Sequence, residues 1–102
     1  MQNRRKRCAS MAEVRAEIDA LDRAIVALLA DRLHYIGEAA RIKQSRDEVR
    51  DEARVADVLA KVRDEARRLG ADPEVIARAY RTLIEGSIAY EFESFDGLRT
   101  RV

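Results

Sequence analysis

The residues best suited to chemistry in this chain interrupt an apolar helical seam. After Met11 the hydrophobes Val14, Ile18, Leu21, Ile25 and Leu28 recur by fours and threes, and the next step lands on Arg32. The seam resumes at Ile36 and Ala39 and ends on Lys43. A cation facing a helical core is costly unless an anion meets it. From Arg32 to Lys43 is three turns and about 20° of extra rotation at about 3.6 residues per turn, so both side chains share a face. Their Cα atoms lie roughly 16 Å apart along the axis, and two long side chains in that register can converge on a small dianion. Arg15 lies about 100° around the rod from Arg32. It is therefore better placed to reach a second copy's pocket than one on its own helix. Further along, Ser87 and Glu91 are polar positions within an otherwise apolar helical face, a counterpart to the two cations.

Each of these residues has a plainer explanation. Arg32 can pair with an internal acid or extend its head to water. Lys43 can complement the negative end of its helix. Glu91 sits in a charged segment, EFESF, and can form a local pair. Ser87 can simply be a small residue at a helix contact. The concurrence of all four on one inner surface favours a ligand site.

The elements that must position them are helical. The chain has 102 residues, 47% hydrophobic and 38% charged, with one Pro and four Gly, which is the composition of a soluble helix bundle in one domain. The first ten residues carry Arg4, Arg5, Lys6 and Arg7 without an acid, against a whole-chain net charge of +1, so the remainder sums to −3. A mildly acidic body argues against nucleic-acid binding. Residues 1–10 are expected to be a disordered basic leader, or an upstream start ahead of Met11; a functional basic arm is the alternative. No apolar stretch follows the basic residues as in a signal peptide, and none is long enough to span a membrane. Cys8 is the single cysteine, so no internal disulfide can form. These features fit a cytoplasmic location.

An all-α architecture of three helices is expected. The first runs from about Ser10 to about Ser45, with Ser10 and Glu13 as a capping box, and is a rod of roughly 50 Å. Two shorter helices cannot cover its whole apolar stripe, so an intertwined homodimer that pairs the long helices is expected. A polar stretch, 44–52, follows, with Lys43 at its edge, and is a candidate for a loop that closes over substrate. The second helix spans about Asp51 to Leu69, with Val55, Val58, Leu59, Val62, Ala66 and Leu69 on one face and Gly70 at its end. Asp72 and Pro73 start the third, which runs to about Phe95 with Ile76, Tyr80, Leu83, Ile84, Ser87, Ile88, Glu91 and Phe95 inward. The helical domain is thus 11–95, and 96–102 is expected to fray. His34 and Tyr35 are packing or surface residues, and Tyr80 and Tyr90 are helix-packing aromatics.

The same residues carry a family resemblance. The segment VRAEIDALDRAIVALLADRLHYIGEAARIK, followed by VRDEARVADVL and LIEGSIAYE, resembles the all-helical AroQ class of chorismate mutases. Within that class it is most similar to the branch that includes isochorismate-pyruvate lyase. The resemblance covers about Met11 to Phe95. It implies an intertwined homodimer with two active sites, each taking Arg15 from one subunit and the rest from the other. By motif, Arg15, Arg32, Lys43, Asp51, Arg54, Ser87 and Glu91 fall on family site positions. Arg15 and Arg32 would hold the substrate's two carboxylates, for which a planar guanidinium is suited. Arg54 would add positive potential, Asp51 would reach the ring hydroxyl and Ser87 would assist a carboxylate. Lys43 and Glu91 would flank the ether oxygen of the breaking bond. Val55 stands where many mutases carry a Glu for the ring hydroxyl, and the lyase branch is apolar there too. Ser87 is mutase-like. Glu91 stands where many members carry Gln, and it can donate a hydrogen bond only when protonated.

That chemistry suits the composition. The rearrangement of chorismate to prephenate is pericyclic and needs no cofactor, metal or nucleophile. It needs a compact conformer of a dianion and donors for charge growing on the ether oxygen. Lysis of isochorismate to salicylate and pyruvate is also pericyclic, so one cationic cage can serve either reaction. Three readings follow: chorismate mutase first, isochorismate-pyruvate lyase second, and a non-catalytic helical dimerisation module third. The first two place the chain in aromatic amino acid or salicylate synthesis, respectively. The partners expected are a small dianionic substrate and a second copy of the chain, with neither nucleic acid nor membrane.

Overall fold

The computed structural model describes residues 5–100. They form three helices, α1 (Met11–Ile42), α2 (Glu52–Arg68) and α3 (Pro73–Arg99), with a single 3-10 turn at Arg46–Glu48, and no strand among the described residues. The all-α expectation therefore holds. Met1–Arg4 of the expected leader and the last two residues of the expected tail lie outside the described residues.

The local chemistry explains the boundaries. At the start of α1 the Ser10 hydroxyl accepts from the Glu13 amide at 3.2 Å, as a capping residue does, while the Glu13 carboxylate accepts from Ala9 at 3.0 Å. The helix stops at Ile42, three residues before the expected Ser45, because Ser45 and Glu48 organise a separate turn. The Glu48 carboxylate accepts from the amides of Gln44 (3.0 Å) and Ser45 (2.8 Å), which leaves that backbone turned away from a helical ladder. Asp51 caps α2 by accepting from the Arg54 amide at 3.0 Å. The end of α2 is a Schellman turn. Gly70 has φ 75°, Ala71 donates to the Ala66 carbonyl at 2.8 Å and Gly70 donates to Arg67 at 3.1 Å. Asp72 caps α3 by accepting from the Glu74 amide at 2.9 Å, with Pro73 in the first turn.

The chain divides at Arg32 into two compact units. In the first, residues 5–32, no side chain is buried, and the apolar seam is open: Ile18 is 50%, Leu21 60% and Leu28 67% exposed. Lys6 pairs with Glu17 at 3.0 Å. The second unit, from Leu33 onward, holds the core. Ala40, Val49, Ile84, Ile88 and Phe95 form the buried cluster, with Val55, Val58, Leu59, Tyr80 and Phe92 packed against it. α2 and α3 pack on one another as a hairpin, and Arg63 bridges to Glu74 at 3.0 Å near the turn. Truncating a buried Ile or Phe in such a cluster typically costs about 2–5 kcal/mol.

Two expectations need correction here. α3 continues to Arg99, four residues past Phe95, because its last turn is tied down by side chains described below. Tyr90 is exposed and not a packing aromatic, whereas Tyr80 does pack on the core.

Candidate functional site

Lys43 is the first residue beyond α1 and Glu91 lies in the middle of α3, and the second unit brings them together. The Lys43 ammonium is 2.7 Å from Glu91 Oε2. Glu91 is only 5% exposed, and Ser87, one turn earlier on the same face, is equally buried. At that distance the ammonium and the carboxylate are directly paired. Lys43 also reaches the Val49 carbonyl at 3.4 Å. Ser87 turns its hydroxyl back onto the Leu83 carbonyl at 2.8 Å. The pair thus sets a buried carboxylate against a partly exposed cation, where the contact is stronger than in bulk water.

Beside Lys43 is an open depression of about 440 Å³, lined by Lys43, Asp47, Glu48, Arg50, Asp51 and Glu52. Asp51 lies on its wall, although its carboxylate is engaged in capping α2. Arg54 is exposed and bonded to Asp57 at 2.7 Å along its own helix. Its position lends positive charge, offset by that partner. Val55 faces the apolar cluster and is part of its packing. Arg15 and Arg32 belong to the first unit: Arg15 is exposed and Arg32 is half-buried. Lys43, Asp51, Arg54, Val55, Ser87 and Glu91 all belong to the second unit.

Sequence reasoning missed the residues that hold Lys43 in place. Arg46 forms a two-point pair with Asp96 (2.9 and 3.2 Å) and lies 4.5 Å over the Phe92 ring. Arg50 pairs with Glu85 at 3.2 and 2.5 Å. Arg99 donates to the Lys43 carbonyl at 2.6 Å and stacks 3.6 Å over Phe95. Hydrogen bonds from Arg46 and Arg50 hold the Asp96 and Glu85 carboxyls below their ordinary range, and the same bonds raise both guanidiniums. The 44–52 stretch is therefore pinned by side chains at both ends, and Val49 anchors its middle in the core. These partners are 35 to 56 residues apart, so no local pattern reveals them. Gly97 interrupts the stretch after Phe95, so the sequence offers no clear sign that α3 runs on to Arg99.

Among the described residues no group of His, Cys, Asp and Glu side chains is placed to hold a metal ion, and no helix is long and apolar enough to cross a membrane. The family model described as chorismate mutase type II matches residues 14–92. The "T-protein" of Enterobacter agglomerans is 32% identical over 93 residues, which is 90% of this chain and 24% of that protein. The chain thus spans about a quarter of the relative's length.

Proposed function

We propose that this chain, which belongs to the chorismate mutase type II family, converts chorismate to prephenate as a homodimer. The observation that carries the proposal is the Lys43–Glu91 pair, placed beside Ser87 on the inner face of α3. A non-catalytic helical module would also pair an inward cation with an acid. Family membership favours catalysis over that alternative.

In the reaction the ether C–O bond breaks as a C–C bond forms, within one molecule and without proton transfer. Arg15 and Arg32 hold the two carboxylates and keep the substrate folded, which is the entropic part of the catalysis. The Lys43 ammonium donates to the ether oxygen as negative charge grows there. Glu91, 2.7 Å from the ammonium, keeps Lys43 in place. Asp51 meets the ring hydroxyl, Ser87 assists a carboxylate and Arg54 supplies background potential. The open seam Ile18, Leu21, Ile25 and Leu28 is the face that a second copy covers. A cytoplasmic location belongs to the same proposal.

Val55 is the one observation behind a second reading, lysis of isochorismate, because an apolar residue there leaves the ring hydroxyl without a carboxylate from that position. The experiment is a paired assay of purified protein, with chorismate and isochorismate supplied separately. Prephenate from chorismate, with little salicylate, is the expected result. Efficient release of salicylate and pyruvate from isochorismate would replace it with the second reading. Absence of all three products would overturn both.

A further inference from the structure

We infer that the last turn of α3 aims Lys43, with Arg99 as its positioning residue and the Arg46–Asp96 pair as a second tie. The inference rests on Lys43 acting on the substrate as proposed above. The carbonyl of Lys43 is one of those that a helix C-terminus leaves without an internal partner. Arg99, 56 residues away, supplies the missing donor at 2.6 Å. Its other guanidinium nitrogen bonds the Phe95 carbonyl at 3.4 Å, and its central carbon lies 3.6 Å from the centre of the Phe95 ring. Phe95 is itself buried in the core, so Arg99 ties the Lys43 backbone to the most rigid part of the unit. The cation also complements the negative end of α1.

Three residues further on, Arg46 is held from the same turn by Asp96 in two-point geometry. Such forked pairing fixes direction as well as distance. Lys43 is thereby fixed at its backbone by Arg99 and at its ammonium by Glu91 and the Val49 carbonyl. With both ends held, the long side chain loses the freedom that would otherwise let its ammonium wander. Asp96 and Arg99 lie beyond residue 92, where the family match ends.

The test compares Arg99→Ala, Arg99→Lys, Asp96→Asn and the exchanged pair Arg46→Asp with Asp96→Arg in chorismate turnover. A positioning role predicts that Arg99→Ala lowers kcat by between about tenfold and a hundredfold with little change in KM. Arg99→Lys should recover part of the loss, because an ammonium reaches the same carbonyl. The exchanged pair should exceed Asp96→Asn in kcat. In a Lys43→Ala background Arg99→Ala should cost nothing more, since the cation being aimed is gone. Amide hydrogen exchange over residues 43–50 reads the same tie without any substrate, and it should quicken at least tenfold in Arg99→Ala. Equal exchange in wild type and variant, or the same kcat loss with and without Lys43, overturns the inference. If wild type forms no prephenate while the exchange difference persists, the functional proposal fails and the mechanical tie stands. Should Arg99→Ala fail to fold, Arg99→Lys and Asp96→Asn carry the same comparison.

Discussion

The two units of this chain spend their hydrophobes differently. In residues 5–32 the seam Ile18, Leu21, Ile25 and Leu28 is open and nothing is buried. From Leu33 onward Ala40 is fully buried, and Val49, Ile84, Ile88 and Phe95 close around it. One helix, α1, contributes to both, so its character changes along its length without any change in helical propensity. Most helical stability in proteins comes from packing an apolar face. The first unit therefore needs a cover that the second does not, and the cationic positions Arg15 and Arg32 lie on the part that needs it.

The largest effect should come from charging the open seam. Leu21→Asp with Ile25→Asp should weaken self-association by at least about a thousandfold, since each copy then buries two carboxylates. Light scattering would show monomers, and exchange would show residues 11–32 unprotected while Ile84 and Ile88 stay protected. A double variant that remains a dimer would break the comparison. The next effect is catalytic. Arg32→Ala should cost about two to three orders of magnitude in turnover while leaving the melting temperature and dimer intact. Near-normal turnover would remove Arg32 from the carboxylate clamp.

The smallest effect sharpens the contrast in acid. The ties of the second unit rest on Asp96 and Glu85, whose carboxyls are held low by Arg46 and Arg50. A carboxyl lowered in the folded state contributes stability that is present above its ordinary value, about 4, and is lost as the pH falls through the folded value. Thermal unfolding should thus be level from neutral pH to about 5 and decline below about 4. Because both pairs are exposed, the decline should be modest. Asp96→Asn with Glu85→Gln should flatten part of it, and an unchanged acid limb would discount these ties.

Much of the fold is legible from spacing alone. Three helices, the Ser10, Asp51, Asp72 and Gly70 boundaries, and the inward placement of Ser87 and Glu91 all follow from local rules of period and capping. Lys43 and Glu91, which the motif places in one site, meet at 2.7 Å. What spacing does not carry is pairing at long range. The segment 44–52 looks like a free polar loop because its ties to Glu85, Asp96 and Arg99 depend on where α3 packs. The end of α3 looks frayed for the same reason. Val55, expected at the ring-hydroxyl position, is half-buried and packs against the core cluster, a contact that depends on where α2 meets α3.

The bond from Arg99 to the Lys43 carbonyl has a consequence in time. Lys43 and Arg99 are 56 residues apart, and synthesis proceeds at about 5–20 residues per second, so Lys43 is made roughly 3 to 11 s before its tether. During that interval the nascent chain carries Lys43 without the donor that ties its carbonyl. A ribosome stalled after Gly86, or a protease that nicks the last turns of α3, would leave a chain that keeps Lys43 and lacks the tether. The competence of the site is in this sense a proofread of nearly the whole second unit: it is conferred only when one of the last described side chains of α3 arrives.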